Sequence, residues 1–294
     1  MTIPLINPVT VPAFRGTRSL EFPKEMRGRG IVIVGGGKFL PSGFLAIKQL
    51  RSTGCTLPIE FWHLGPLEFP AKLLPLFLEL NATPVDAFAM REKFPMKQIG
   101  GWECKPYAVA YSNFEEVLFI DADNLTLKDP TFLFHEPLYC SNTALFWPDF
   151  LVQEDSFWRI KPQAFELLGI KPQPNLEIES GQLLINKRKC WEALMTCVAM
   201  NEASDFFYQH CTYGDKDTFT LSFLLTNTPY GRISHLPTLV RDFVRTQYTP
   251  QGVPLFEHGR KWVLPVEANR VLGPTPHDKN CFEWLTSFSK AMYA

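Results

Sequence analysis

No stretch of the 294 residues approaches the ~20 consecutive apolar positions needed to cross a bilayer. The N-terminus, MTIPLINPVTVPAFRG, has neither the basic segment nor the continuous apolar core of a secretory signal. Both absences lead us to expect a soluble, cytoplasmic chain. Cysteine is sparse and unpatterned: seven residues (55, 104, 140, 190, 197, 211 and 281), an odd number with no CxxC pair. This excludes a disulfide framework and a structural zinc site, and leaves most thiols as small apolar groups in a reducing compartment. Charge excess is missing too. With 29 basic and 30 acidic residues the formal net charge is -1, so no global field exists to hold nucleic acid. There is no internal repeat and no low-complexity linker. What is present is apolar material, 46% of the chain, enough to bury a real core.

Residues 1–29 carry several prolines and no periodic pattern, which predicts an extended arm. Gly30-Ile31-Val32-Ile33-Val34 reads as a strand buried on both faces. A glycine turn, Gly35-Gly36-Gly37, and a helix from Gly43 to Arg51 follow, then a second strand over 58–64. Strand, helix, strand in this span is a βαβ unit, which implies a parallel sheet. The spacing predicts a short helix over 72–80, a third strand over 83–88, a helix over 105–114 and a strand over 116–120. Later come an aromatic-rich segment (Phe132 to Trp158), a mixed turn and strand over 179–186, and helices over 189–201 and 218–225. The last ~60 residues, rich in Pro and Gly, read as loops wrapping a site. The expectation is one α/β domain with a mixed, Rossmann-like central sheet flanked by helices, over residues 30–294.

The strand Glu116-Val117-Leu118-Phe119-Ile120 ends in Asp121-Ala122-Asp123-Asn124. Ligands of open α/β sheets bind outside the carboxyl ends of strands. Two carboxylates delivered there suit a hard cation such as Mn²⁺ or Mg²⁺, completed by substrate phosphates. The competing reading is a plain turn, since Asp and Asn favour turns. The glycines before Lys38 let backbone N–H groups and the lysine approach a phosphate, or simply make a tight turn. A dinucleotide fingerprint is incomplete, because Leu40 stands where the third glycine belongs.

Five ordered segments carry a resemblance to a known family: GIVIVGGGKF (30–39) with LRSTGCTLPIEFW (50–62), CKPYAVAYSNFEEVLFIDADNLTLKDPTFLF (104–134), ESGQLLINK (179–187), GDKDTFTLSF (214–223) and QYTPQGVPLFEH (247–258). In these the chain resembles the fungal Golgi-type α-mannosyltransferases, which are GT-A-fold, nucleotide-sugar-dependent enzymes. The resemblance implies a GT-A-like domain, a Mn²⁺-type site, retention of anomeric configuration and a mannose donor. It also implies a nucleotide-sugar-binding half over 30–135, an acceptor-binding half over 136–294, and a glycan or other hydroxyl acceptor. The sequence departs from the family in lacking the membrane anchor and stem, and in having His258-Gly259-Arg260 where members have a longer His-x-Asn-type stretch. These departures favour a cytoplasmic or otherwise soluble relative, with a Golgi-lumen origin after loss of the anchor as the alternative, and leave the sugar open; UDP-glucosyl, -galactosyl or -N-acetylhexosaminyl transfer is the alternative within the fold.

Asp121, Ala122 and Asp123 would contact the donor diphosphate, with Gly35, Gly36, Gly37, Lys38 and Lys105 around it. Lys105 is expected at a helix N-cap region, with Pro106 as first helical residue, a position where a lysine gains nothing from the helix dipole. A retaining transfer needs a nucleophile opposite the leaving group or a front-face route. Glu179 and Gln182 are the polar groups best placed by chain order for that face, with Ser180 and Gly181 between them. In Gly214-Asp215-Lys216-Asp217, Asp217 either caps the following helix or acts in the site, while Asp215 is free to hold sugar hydroxyls and Lys216 to meet the donor. His258 is the choice for third metal ligand, His277 the competitor, and a structural histidine the bland reading of either. Phe146, Trp147, Phe157 and Trp158 stack on sugar or base, or are core. Readings from other classes are a nucleotidyltransferase, an NAD(P)-dependent oxidoreductase and a non-catalytic sugar-binding module.

Overall fold

The computed structural model describes residues 18–150, 159–173, 176–241, 243–269 and 276–293. The elements run β1 (Arg29–Val34), α1 (Leu40–Ser52), β2 (Ile59–His63), α2 (Leu74–Leu78), β3 (Ala82–Asp86), α3 (Ala87–Lys93), α4 (Cys104–Tyr111), β4 (Glu116–Asp121) and β5 (Asn124–Thr126). They continue α5 (Pro137–Cys140), β6 (Ala144–Pro148), α6 (Pro162–Leu168), β7 (Ile178–Asn186), α7 (Trp191–Glu202), α8 (Ser204–His210) and α9 (Lys216–Leu225). Last come β8 (Gly231–Arg232), β9 (Thr238–Arg241), β10 (Val244–Tyr248), β11 (Pro254–His258) and α10 (Pro276–Tyr293).

A seven-stranded sheet has the order β3-β2-β1-β4-β7-β6-β8. Strands β3, β2, β1 and β4 are parallel, and β7 runs antiparallel between β4 and β6. The sheet is therefore mixed, as the sequence predicts. Its inner strands β2, β1, β4, β7 and β6 are buried on both faces because each face is covered. Along β1 and β4, Ile31, Ile33, Leu118 and Ile120 enter one core with α1 and α10, where Phe44 stacks on Phe288 at 4.8 Å. Val32, Val117 and Phe119 enter the other, with α4 and α7. Alternate side chains thus feed opposite cores, which is why these strands read as continuous apolar runs.

Three expectations change. Residues 179–186 belong to one nine-residue strand, not a turn followed by a strand. Glu179-Ser180-Gly181-Gln182 looks turn-like because it is polar, yet Gln182 pairs with Ile120 of β4 and Glu179 with Trp147 of β6. The last 60 residues are not chiefly loops. They supply β9, β10 and β11, which join β5 in an antiparallel sheet of order β5-β11-β10-β9, and the 18-residue α10. Helix α4 begins at Cys104 behind a 3₁₀ turn, Gly101–Glu103, so Pro106 is its third residue and Lys105 lies in the first turn. No helix among the described residues is long and apolar enough to cross a membrane. Phe146 and Trp147 are fully buried core residues, and Phe157 and Trp158 lie outside the described residues.

Six of the seven cysteines are buried, as expected for thiols used as small apolar groups. Burial pushes the Cys211 thiol up to about 11 and those of Cys197 and Cys281 to about 12, and also raises Cys55, Cys104 and Cys190. A raised folded-state value means stability that is present below the unfolded value of about 8.5 and lost as pH rises above it. Lys187 opposes this: burial pushes its ammonium down to about 7, so from there upward it contributes in the other direction by one proton. Thiols outnumber it. Melting temperature under a reductant is expected to hold from pH 7 to 8.5 and fall steeply above pH 9, each ionising thiol costing about 1.4 kcal/mol per pH unit. A Cys190→Ala, Cys197→Ala variant should fall less steeply; equal slopes would contradict this account.

Candidate functional site

Strand β4 carries Asp121 at its last position, the chain turns at Ala122-Asp123, and β5 starts at Asn124. This turn joins the two sheets. The Asp123 carbonyl accepts from the N–H groups of Gly259 (3.1 Å) and Arg260 (2.7 Å), and His258 of β11 stands in register opposite Asn124. Asn124 Nδ2 donates to Gly181 O and Gln182 Oε1, both at 2.8 Å, fastening the turn to β7. Local pairing therefore brings His258 to the aspartates across more than 130 residues of chain.

His258 Nε2 lies 3.2 Å from Asp123 Oδ1 and 3.5 Å from Asp121 Oδ2. One ligand atom from each of the three residues falls within 4.8 Å of the others. Two carboxylate oxygens and an imidazole nitrogen converging this closely fit a Mn²⁺- or Mg²⁺-class ion. His277 is elsewhere: on α10, with Nδ1 3.5 Å from Gln49 Nε2. Burial disfavours the charged form of His258, but the carboxylates of Glu179 and Asp123 outweigh it and raise its value well above the usual range. For Asp123, burial is likewise outweighed by His258, and its carboxyl is held below the usual range.

Lys105 is 8% exposed and sits among acids. Its Nζ donates to Asp121 Oδ2 (3.1 Å), Ser180 Oγ (3.0 Å) and Ser180 O (3.3 Å), and lies 3.4 Å from Asp215 Oδ2. Burial would strip its proton, but Asp121 and Asp215 hold it on. The first-turn lysine that gains nothing from its helix dipole is thus held by two carboxylates. Asp215 is buried, pairs with Lys105 and accepts from Ser180 Oγ at 3.3 Å, so it is not a free carboxylate. The N-cap position of α9 is Asp215, without a side-chain cap bond. Asp217 does not cap. It is fully buried, accepts from Ile178 N (3.2 Å) and pairs with Lys216 Nζ (2.8 Å), which also lies 3.2 Å from Asp149 Oδ2. Gln182 is fully buried beneath the turn with its oxygen committed to Asn124.

The glycine loop packs closely against its neighbours. A Cβ on Gly35 would come within 2.7 Å of Ala122 Cβ, and one on Gly36 within 2.5 Å of Glu68 Oε2. Gly37 adopts φ +56°, a left-handed conformation suited to glycine. The N–H groups of Gly35 and Gly37 are already spent on Trp62 O and Glu68 O. Lys38 is exposed beside Phe39. The loop sets β1 hard against the Asp-Ala-Asp turn. Glu179 meets Arg245, which with Asp149 went unnoticed in the sequence: Arg245 Nη1 lies 2.6 Å from Glu179 Oε2 and 3.4 Å from Asp149 Oδ1. Arg245 lies two residues before the motif-bearing QYTPQ, and nothing local marks it.

Comparison with known proteins bears on this geometry. The family model described as "Mannosyltransferase putative" matches residues 28–167 and 169–246. The alpha-1,2-mannosyltransferase MNN24 of Candida albicans is 27% identical over 261 residues, covering 72% of this chain and 35% of its own. MNN2 of Saccharomyces cerevisiae, another alpha-1,2-mannosyltransferase, is 30% identical over 251 residues, covering 68% and 41%. The chain spans less than half the length of these curated relatives. The apo-form glycosyltransferase GlyE of Streptococcus pneumoniae superimposes with a TM-score of 0.51 at 13% identity, over 90% of this chain and 64% of its own. That likeness shows a shared fold, the GT-A-like architecture expected from the sequence.

Gly181 gives this site its sharpest test. A Cβ there would meet His258 Nδ1 at 2.5 Å, while the backbone needs no left-handed conformation. Gly181→Ala is expected to keep the fold, with circular dichroism unchanged, and to weaken Mn²⁺ binding by titration calorimetry roughly tenfold or more. Unchanged affinity would show that His258 is not a ligand.

Proposed function

The chain belongs to this mannosyltransferase family, and from that premise we propose that it transfers a hexose from a nucleotide-sugar to a hydroxyl acceptor with a divalent cation bound at Asp121, Asp123 and His258. The single observation that carries the reading is the convergence of those three side chains at the carboxyl end of β4. The preferred donor is GDP-mannose, given the names of the relatives; transfer with retention onto a glycan is what the resemblance implies. Mn²⁺ or Mg²⁺ would supply Lewis-acid neutralisation of the diphosphate leaving group.

The protein's own residues do the rest of the work by position. Residues 30–135 contribute Asp121, Asp123 and Lys105, and residues 136–294 contribute His258, so the donor site straddles the two halves. Lys105 pairs with Asp121 Oδ2 at 3.1 Å and so orients the carboxylate beside the proposed cation position. Ser180 and Asp215 are bonded to each other and to Lys105, and so hold that lysine in place beside Asp121. Lys216, held between Asp149 and Asp217, is the second cation available to the donor.

Thermal-shift and calorimetric titration of nucleotide-sugars with and without Mn²⁺ tests the proposal. GDP-mannose should bind only with the cation, and Asp121→Asn or Asp123→Asn should weaken it by at least an order of magnitude. Because His258 must shed a proton to ligate, and its value is raised, cation affinity should climb as pH rises from 6 to 8, with proton release on binding. Metal-independent binding of GDP-mannose, or tight metal-free binding of NADH, would refute the proposal.

A further inference from the structure

Glu179 is the carboxylate best placed by chain order to attack the sugar, but its surroundings are those of a residue already spent. It is 6% exposed. Its Oε1 accepts from Gly181 N at 3.1 Å and lies 3.3 Å from His258 Nδ1, the ring nitrogen turned away from the two aspartates. Its Oε2 accepts from Arg245 Nη1 at 2.6 Å. Both oxygens are engaged by neighbouring groups of the protein. The contact with His258 has the distance of an ion pair without the alignment of a hydrogen bond, and among the described residues Nδ1 has no other partner. A buried ring nitrogen in that condition needs the one acceptor beside it.

The arrangement is built by one hairpin. Arg245 of β10 and His258 of β11 are direct partners in the antiparallel register, so the two side chains flank Glu179 of β7 from neighbouring strands. Arg245 is itself held by Asp149 Oδ1 at 3.4 Å. A histidine ligand commonly gives its second ring N–H to a carboxylate, which fixes the tautomer, orients the ring and leaves the other nitrogen's lone pair for the ion. Here the second nitrogen faces Glu179 while Nε2 faces Asp121 and Asp123.

We infer that Glu179 and Arg245 are positioning residues of the cation site: Arg245 fixes Glu179, and Glu179 fixes the ring and tautomer of His258. The inference rests on the cation-site reading given above and removes Glu179 from the candidates for nucleophile. No bond to the sugar is made or broken by it. Gly181 belongs to the same device, since its N–H anchors Glu179 Oε1 and its missing side chain leaves room for the imidazole.

The test is Mn²⁺ titration of the full chain, by calorimetry or by electron paramagnetic resonance of free Mn²⁺, on the wild type, Glu179→Gln, Glu179→Asp, Arg245→Met and the Glu179→Gln, Arg245→Met double variant. Melting temperature without metal is measured alongside. Glu179→Gln and Arg245→Met should each weaken Mn²⁺ binding 10- to 100-fold. Glu179→Asp should recover part of the loss, and the double variant should be no weaker than the worse single one, because Arg245 acts through Glu179. A purely structural role would lower the metal-free melting temperature and give additive losses, and would overturn the inference. So would a Glu179→Gln protein that binds Mn²⁺ like the wild type and has lost turnover, since Glu179 would then act on the sugar. A wild type that binds no Mn²⁺ overturns the cation-site reading itself, an outcome distinct from wild-type binding that the variants leave untouched. If Glu179→Gln does not fold, Glu179→Asp and Arg245→Met carry the comparison.

Discussion

The carboxylates of Asp121, Asp123, Glu179 and Asp215 repel one another in a region where little water reaches, and much of the surrounding structure serves to hold them there. Buried charges of one sign persist only when counter-charges and donors offset the loss of hydration. Lys105 answers Asp121 and Asp215, Arg245 answers Glu179, and His258 stands among Asp121, Asp123 and Glu179. With His258 protonated, four acids face three cations, Lys105, Arg245 and His258, and one negative charge is left over where the ligand atoms converge. The divalent cation proposed above would offset that charge.

The two sheets meet at this cluster of charges. The Asp-Ala-Asp turn cannot be a free surface turn, because its carbonyl at Asp123 is tied to Gly259 and Arg260 and its neighbour Asn124 to β7. Ala122 and Gly35 must be small for β1 to pack against that turn, and Gly181 must be small for His258 to reach it. Arg260, just beyond the histidine, is anchored by the buried Asp278 of α10, so the C-terminal helix steadies the late loop from behind. The fold's backbone contacts and the site's charges are thus one set of constraints.

Much of this was legible in the sequence. The β-branched and apolar runs of β1 and β4, the helix spacings and the carboxylates at a strand end all rest on local periodicity, and the structure follows them. What failed did so for one reason. Glu179-Ser180-Gly181-Gln182 and the loop-like C-terminus are polar or rich in turn residues, and local rules read such segments as turns. Only long-range pairing with β4, β6 and β5 makes strands of them. Lys105 shows the same limit, since the acids that explain it lie 16 and 110 residues away. Arg245 and Asp149 were invisible because a single arginine or aspartate has no periodic signature; their meaning is a distance in space. His258 could be favoured over His277 by its segment, but β5–β11 register is what places it.

The central claim is that Asp121, Asp123 and His258 form one cation site that serves a nucleotide-sugar diphosphate. The most direct measurement is a crystal structure of the protein soaked with Mn²⁺ and GDP, with anomalous scattering collected at the manganese edge. The account predicts one strong anomalous peak within coordinating distance of all three side chains and of the diphosphate oxygens. A peak elsewhere, or GDP bound at this site with no peak beside it, would contradict it.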